Sequence, residues 1–384
     1  MKLHMAVVAA MLPGVALAQE VDPVYFENPA VSDTAVVSDS VPAAVVLPEV
    51  VRVSPSLAVP VSTSLPPAVV EKIKKGDRMF TLSAENDSLT RSGDRYYTNG
   101  LRLSWLQLKA RPPEWAEWVA DHVPHALFDA TQPMAVQYTI GQNMYTPSHI
   151  NVFAPQYGDR PYAGYLYGSV GLTEGDGRVV NDLEMSVGVV GPWSLARETQ
   201  TNFHHLIHVH PPKGWSNQLK NEPTLGLSWA RRWPTFWDQP VWGGGAVNLM
   251  PDVGVTVGNV YDLAAAGGTL MWRSDAAAVV DNPLRVRPSI PGTGYFTHGD
   301  HPVYTLSLGA QERAVARNIF LDGNTFTDSP VTVQKRNFVS DLQAGAGVSW
   351  GKYSLAYTTV YRTKEFYGQN KGQLFGGLNF SFKY

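Results

Sequence analysis

The chain has 384 residues, a formal charge of −3 and no cysteine, and only 16% of its residues are charged, where a typical soluble domain has about 25%. No disulfide, thiol nucleophile or Cys-ligated metal site can form, and no net basic field points to nucleic acid. Beyond residue 18 no apolar run is long enough for a membrane-spanning helix, which leaves a soluble all-β protein or a membrane β-barrel.

Residues 1–18 read as a signal peptide. Lys2 supplies the positive start, Met5 to Leu17 is apolar around a Pro-Gly break, and Ala16-Leu17-Ala18 is a cleavage site that leaves Gln19 first. Residues 19–72 read as a disordered tail rich in Pro and Val. Eight prolines interrupt it, and it carries seven acidic against two basic residues. The remainder, 73–384, is near neutral, with 27 basic and 26 acidic residues.

From Arg78 onward, segments of period two recur. The spacing predicts twelve strands, at about 78–86, 95–108, 134–146, 160–172, 179–191, 223–233, 241–257, 260–273, 302–316, 335–350, 352–364 and 372–384. In several, large apolar residues alternate with small polar ones: Leu101, Leu103 and Trp105 oppose Arg102 and Ser104. The final run, Leu378 to Tyr384, alternates in the same way and stops on an aromatic. An apolar face against a small polar face fits an antiparallel transmembrane β-barrel with lipid outside and a polar interior. An even strand count puts both termini on one side, the periplasm in an outer-membrane barrel. Two connections fit this scheme poorly. Residues 109–133 should be a short inner turn but hold Pro113-Glu114-Trp115-Ala116-Glu117-Trp118, the mark of a short interfacial helix, and 274–301 are equally long.

Unusual polar residues gather at the outward strand ends. They are Glu85-Asn86-Asp87, Asp94 to Gly100, Gly141 to Pro147, Gly158 to Gly164, and the long connection 192–222. Polar clusters from separate elements at one end of a rigid barrel point to an enzyme or binder rather than a passive pore. In the long connection, Ser194 is placed to cap an outer-loop helix running to about Ile207. Gln200, His204 and His208 would then share one face, with Phe203, Leu206 and Ile207 on another. Paired histidines at this spacing suit zinc, but no H-E-x-x-H pattern or cysteine accompanies them. A single histidine acting as base on water suits the pattern better, and exposed helix histidines without a role are the plain alternative. Asn86 and Asp87, facing Thr98 and Asn99, form an oxygen-rich cluster that suits calcium. The same residues would equally serve to close a hairpin turn.

Taken in order, these motifs, with Gln200 and His204, Gly214-Trp215, Gln218 and Asn221-Glu222-Pro223, resemble the lipid A 3′-O-deacylase family of outer-membrane enzymes over roughly 78–384. The resemblance implies a calcium-dependent carboxylic-ester hydrolase of about twelve strands in the bacterial outer membrane. Its site, between the barrel wall and an outer-loop helix, would face the cell exterior. It further implies a lipid A (lipopolysaccharide) substrate and release of a 3′-linked acyloxyacyl chain. Carried over by position, the catalytic residues are His204, Asn86, Thr98 and Asp87, with His204 as base and Asp87 as calcium ligand. Two departures stand out. Residues 147–159 carry no Lys or Arg where some members carry both, and an acidic residue of the helix exit is replaced near His210. The alternatives to lipid A deacylation are an outer-membrane phospholipase with the same base and metal, a Ser-His nucleophile at Ser88 or Ser148, and a non-catalytic porin or adhesin.

Overall fold

The computed structural model of the chain describes residues 77–90, 95–286, 290–297 and 299–384. The signal peptide and the tail expected at 1–18 and 19–72 lie outside the described residues. Among the described residues, period-two patterning becomes a ring of twelve antiparallel strands. They are β1 (Arg78–Asn86), β2 (Tyr96–Gln107), β3 (Ala135–Thr146), β4 (Ala163–Gly175), β5 (Val180–Val190), β6 (Glu222–Arg232), β8 (Ala246–Gly258), β9 (Tyr261–Arg273), β10 (Val303–Asn318), β11 (Phe338–Trp350), β12 (Tyr353–Arg362) and β13 (Gln373–Lys383). Each pairs with its neighbour in sequence, and β13 pairs with β1 from Met79↔Lys383 to Asn86↔Gly376, which closes the barrel. A short β7 (Trp237–Pro240) pairs only with the start of β8, while β6 pairs directly with β8. The strand expected at 241–257 therefore begins late. Gly243 and Gly244 take φ of +90° and +83°, a turn conformation that ends β7 before β8 starts.

The barrel has a terminal rim, where β1 begins and β13 ends, and a distal rim. Side chains alternate through its wall. Val187, Leu225, Val255, Val257, Leu270, Leu306, Leu308 and Leu342, on successive strands β5, β6 and β8 to β11, are exposed on the outside, an apolar belt suited to lipid. The inside is polar and full. Asp341 accepts from Arg313 and Arg362. Arg160 donates to Glu365 at 3.0 Å, and Arg232 donates to Asp182 at 2.9 Å.

The described residues of the two long terminal-rim connections go to opposite sides of the wall. The first holds α1 (Glu114–Asp121), whose Ala116 and Ala120 pack with Phe128 against Val136, Leu172 and Leu183, residues of the outer face. It lies on the outside of the wall with Trp115 and Trp118 exposed, so a short helix stands where the sequence predicts one. In its last turn, hydrogen bonds from Thr131 and Gln132 hold the Asp129 carboxyl down at about 2. The second connection enters the lumen as a plug. Val280 bridges to Phe296, and Asp281 accepts from Arg232 of β6 and from Thr293. Val286 reaches the buried aromatic cluster of Tyr97, Tyr145, Tyr167 and Phe375. Gly100 permits this approach, because a Cβ there would lie 2.7 Å from a Val286 methyl and 1.9 Å from the Tyr97 hydroxyl.

Candidate active site on the membrane-facing wall

The distal end of the β1–β2 hairpin supplies one half of the site. Along β1, Glu85 points into the lumen and is buried, so Asn86 falls on the outer face. Asp87 opens a 3₁₀ turn (Asp87–Thr90). The Asn86 side-chain oxygen accepts from the Ser88 amide at 2.7 Å, and Asp87 Oδ2 accepts from the Arg95 amide at 2.9 Å. The turn-closing role open to these residues is thus realised. On β2, Asn86 pairs with Asn99, and the β2–β3 register shifts between Tyr97 and Asn99. Thr98 is the extra residue of this bulge, a device that re-aims a side chain. Its hydroxyl meets that of Thr146 on β3 at 2.7 Å. Asp87, Thr98 and Thr146 are all buried.

The second half comes from the connection after β5. Gly191 (φ +98°) and Pro192 turn the chain, and Ser194 Oγ donates to the Gly191 carbonyl at 2.6 Å. Ser194 is therefore the latch of this turn and does not cap the helix. The N-cap is Leu195 in the left-handed conformation, and α2 runs Ala196–Leu206. Gly164 of β4 lets α2 lie on the wall, since a Cβ there would meet Ser194 Oγ at 2.1 Å and the Ala196 Cβ at 2.3 Å. Ala196, Gln200 and His204 form the buried face of α2, whereas Trp193, Leu195, Phe203 and Leu206 are exposed. His208 does not extend the buried face. It lies beyond the helix with φ +58° and is exposed, so the zinc-type pair at helical spacing is not formed.

The buried polar groups of α2 are oriented by the segment that follows. Trp215 Nε1 donates to Gln200 Oε1 at 2.8 Å, and the Trp215 ring packs on Tyr162. His204 Nδ1 lies 2.9 Å from the His210 carbonyl. A carbonyl can only accept, so Nδ1 carries the proton and Nε2 is the basic nitrogen of the neutral ring. One face of β3 joins the halves. Gln142 Nε2 donates to the Ser194 carbonyl at 2.7 Å, Met144 packs with Tyr162, Ala196 and Trp215, and Thr146 meets Thr98.

Other sequence candidates have structural duties. Arg160 is fully buried over the Tyr145 ring and bonded to Glu365. Glu222 accepts from Asn259, Asn324 and the Thr325 amide, and Asn221 accepts from the Trp193 amide. Ser88 is exposed in the turn. Ser148 Oγ donates to Asp159 at 2.5 Å and stands 3.2 Å from His149 Nδ1. A nucleophilic triad needs the imidazole between hydroxyl and carboxylate, and here the carboxylate binds the hydroxyl directly. Sequence reading missed Thr146, Trp215 and Gly164 as parts of the site, although all three lie in or beside the motifs it used.

The side chains that this hairpin end brings forward offer oxygen only: the Asp87 carboxylate, the Asn86 amide oxygen and the Thr98 hydroxyl. This chemistry fits calcium, which completes its shell with carbonyls, water or substrate, and does not fit zinc. Among the described residues no group of three or more His, Asp or Glu side chains forms a closed metal cage.

A family model described as outer membrane protein LpxR matches residues 55–384. Among solved structures, LpxR from Salmonella typhimurium gives a TM-score of 0.63 at 19% identity, covering 79% of this chain and 99% of that one; at that identity the likeness is one of fold. The β-domain of the Bordetella autotransporter Brka gives 0.37 at 10% identity, covering 81% of this chain and 99% of that one. The translocator domain of the autotransporter NalP from Neisseria meningitidis gives 0.34 at 11%, covering 82% and 91%. No curated protein sequence matches.

Proposed function

The chain belongs to the LpxR family of outer membrane proteins, and from that membership we propose that it is an esterase releasing the 3′-linked acyloxyacyl chain of lipid A. The observation that carries this reading is the side of the wall on which the chemistry lies. Gln200 and His204 are buried between α2 and the outer face, beside exposed Trp193, Leu195, Phe203 and Leu206. A soluble substrate would favour the lumen, whereas an acyl ester already sits in the leaflet outside. The distal rim is then the exterior side, and the substrate is lipid A of the outer leaflet.

In this reading, Nε2 of His204 takes a proton from a water molecule, which attacks the ester carbonyl. The Asn86 amide and the Thr98 hydroxyl donate to the oxygen on which charge develops. His204 returns the proton to the sugar oxygen as the acyl chain leaves. Asp87, with the Asn86 and Thr98 oxygens, would hold calcium, which polarises the carbonyl when bound.

Mass spectrometry of lipid A from cells expressing the wild type and His204→Ala tests this. Loss of the 3′ acyl chain in the wild type alone is expected. Equal release by both removes His204 from the mechanism, and full activity after chelation removes calcium. One observation favours phospholipid as a second substrate class. The connection 147–159 offers no cation, and Arg160 beyond it is spent on Glu365. A panel of lipids separates the two. The plugged lumen speaks against an open porin.

A further inference from the structure

We propose that Arg285, on the luminal plug, is a positioning residue that braces the site from inside the barrel. The inference rests on the site reading above. Alternation puts Glu85 and Tyr97 in the lumen, each one residue before a site residue on the opposite face: Asn86 after Glu85, and Thr98 after Tyr97. The plug ties these two together. Arg285 Nε meets Glu85 Oε1 at 2.5 Å, the Val286 amide donates to the same oxygen at 3.2 Å, and the Tyr97 hydroxyl donates to Glu85 Oε2 at 2.9 Å. Arg285 is itself fixed. Its carbonyl accepts from Arg102 at 3.1 Å, and its guanidinium reaches Gln343 at 3.3 Å.

The bulge gives this brace its leverage. Ladder pairing lapses between Tyr97 and Asn99, so Thr98 takes its orientation from its flanks and from the Thr146 hydroxyl rather than from ladder hydrogen bonds. On the near flank, Tyr97 is held by Glu85, by Gln373 through both its main-chain groups, and by the Phe375 ring. Removing Arg285 strands a buried carboxylate without its cation. Glu85 then turns away, Tyr97 loosens, and the hydroxyl of Thr98 loses its aim. His204 stands on α2 and is not part of this chain of contacts.

The test uses the full-length barrel, with heat-modifiable gel mobility as the check of folding. Arg285→Ala is expected to lower kcat by about 10- to 100-fold through misplacement alone. KM and the pH limb due to His204 should stay in place. Adding Glu85→Gln to Arg285→Ala should restore part of kcat, because the neutral amide can accept from the Val286 amide through its oxygen, donate to the Tyr97 hydroxyl through its nitrogen, and leaves no unpaired charge. Hydrogen exchange of amides 86–90 and 95–98 gives a readout independent of turnover. It should quicken in Arg285→Ala and not in Arg273→Met, which breaks the remote pair with Asp238. Unchanged exchange and unchanged kcat in Arg285→Ala overturn the brace, as does a double variant no better than the single. If the wild type releases no acyl chain while exchange at 86–90 and 95–98 still quickens in Arg285→Ala, the brace stands and the esterase reading fails. Should Arg285→Ala not fold, Arg285→Lys carries the same test, since it keeps the charge and loses the fork.

Discussion

At the scale of single residues, the site relies on main-chain acceptors as much as on side chains. The proton on His204 is placed by the carbonyl of His210, not by its imidazole, which is exposed. His210→Ala should therefore shift stability by less than about 0.5 kcal/mol and leave acyl release at the wild-type rate; a fall matching that of His204→Ala would give the His210 ring a role of its own. Thr98 is the opposite case in the proposed mechanism, which uses its hydroxyl, and Thr146 is its contact. Thr98→Val keeps the shape and removes the donor, so kcat should drop by about 10²-fold or more while Thr98→Ser retains much of it. Single-turnover acyl release by the two variants decides this. The motifs made Asn86, Asp87, Thr98 and His204 candidates, because each stands in a short polar run at a strand end or on a helix face. They did not distinguish Arg160 and Glu222, equally prominent in sequence, whose charges pin loops together. Motif prominence reports a constraint on a side chain, and burial in an ion pair constrains as strongly as chemistry does.

At the scale of elements, period two located all twelve wall strands within a few residues except at β8, where a turn of consecutive glycines follows the short β7. The helix was legible as a helix but not in its ends. Ser194 has the chemistry of a cap and is used as a turn latch, and left-handed Leu195 and His208 bound α2 instead. Those conformations answer to the path over the barrel wall, which no local pattern records. The same holds for the two long connections, whose lengths were visible and whose sides of the wall were not. What holds α2 against β4 is the missing side chain of Gly164. Gly164→Val inserts three carbons where a first one already meets Ser194 and Ala196. Overpacking of this kind costs about 1–3 kcal/mol, and here it lifts α2 rather than opening the sheet. The variant should keep the heat-modifiable mobility of the folded barrel and lose acyl release. Gly158→Val, where the structure is open, tests the specificity of the effect, although its own positive φ adds strain.

At the scale of the molecule, the barrel separates its two surfaces by task. The outer face carries the belt and the site, while the inner face carries ion pairs and a plug. Because the support is inside, the described plug residues lie across the lumen. Described plug residues meet β1, β2, β3 and β6 through Glu85, Arg102, Gln137 and Arg232. In a planar bilayer the wild type should show no steady open-channel steps. The plug is anchored nearest the terminal rim by Asp281, whose carboxylate joins Arg232, Thr293 and the Gly294 amide. Asp281→Asn removes the charge from a buried pair, a change that costs about 3–5 kcal/mol when one partner stays behind. That loss falls on the plug before the wall, because the ladder hydrogen bonds of all twelve strands remain. Asp281→Asn should therefore open the lumen in brief conductance steps while its gel mobility stays that of a closed barrel. Acyl release should fall only as far as Arg285 is carried away with the plug. Steady conductance in the wild type, or silence in the variant, would show that the lumen is sealed by the wall side chains and not by the plug.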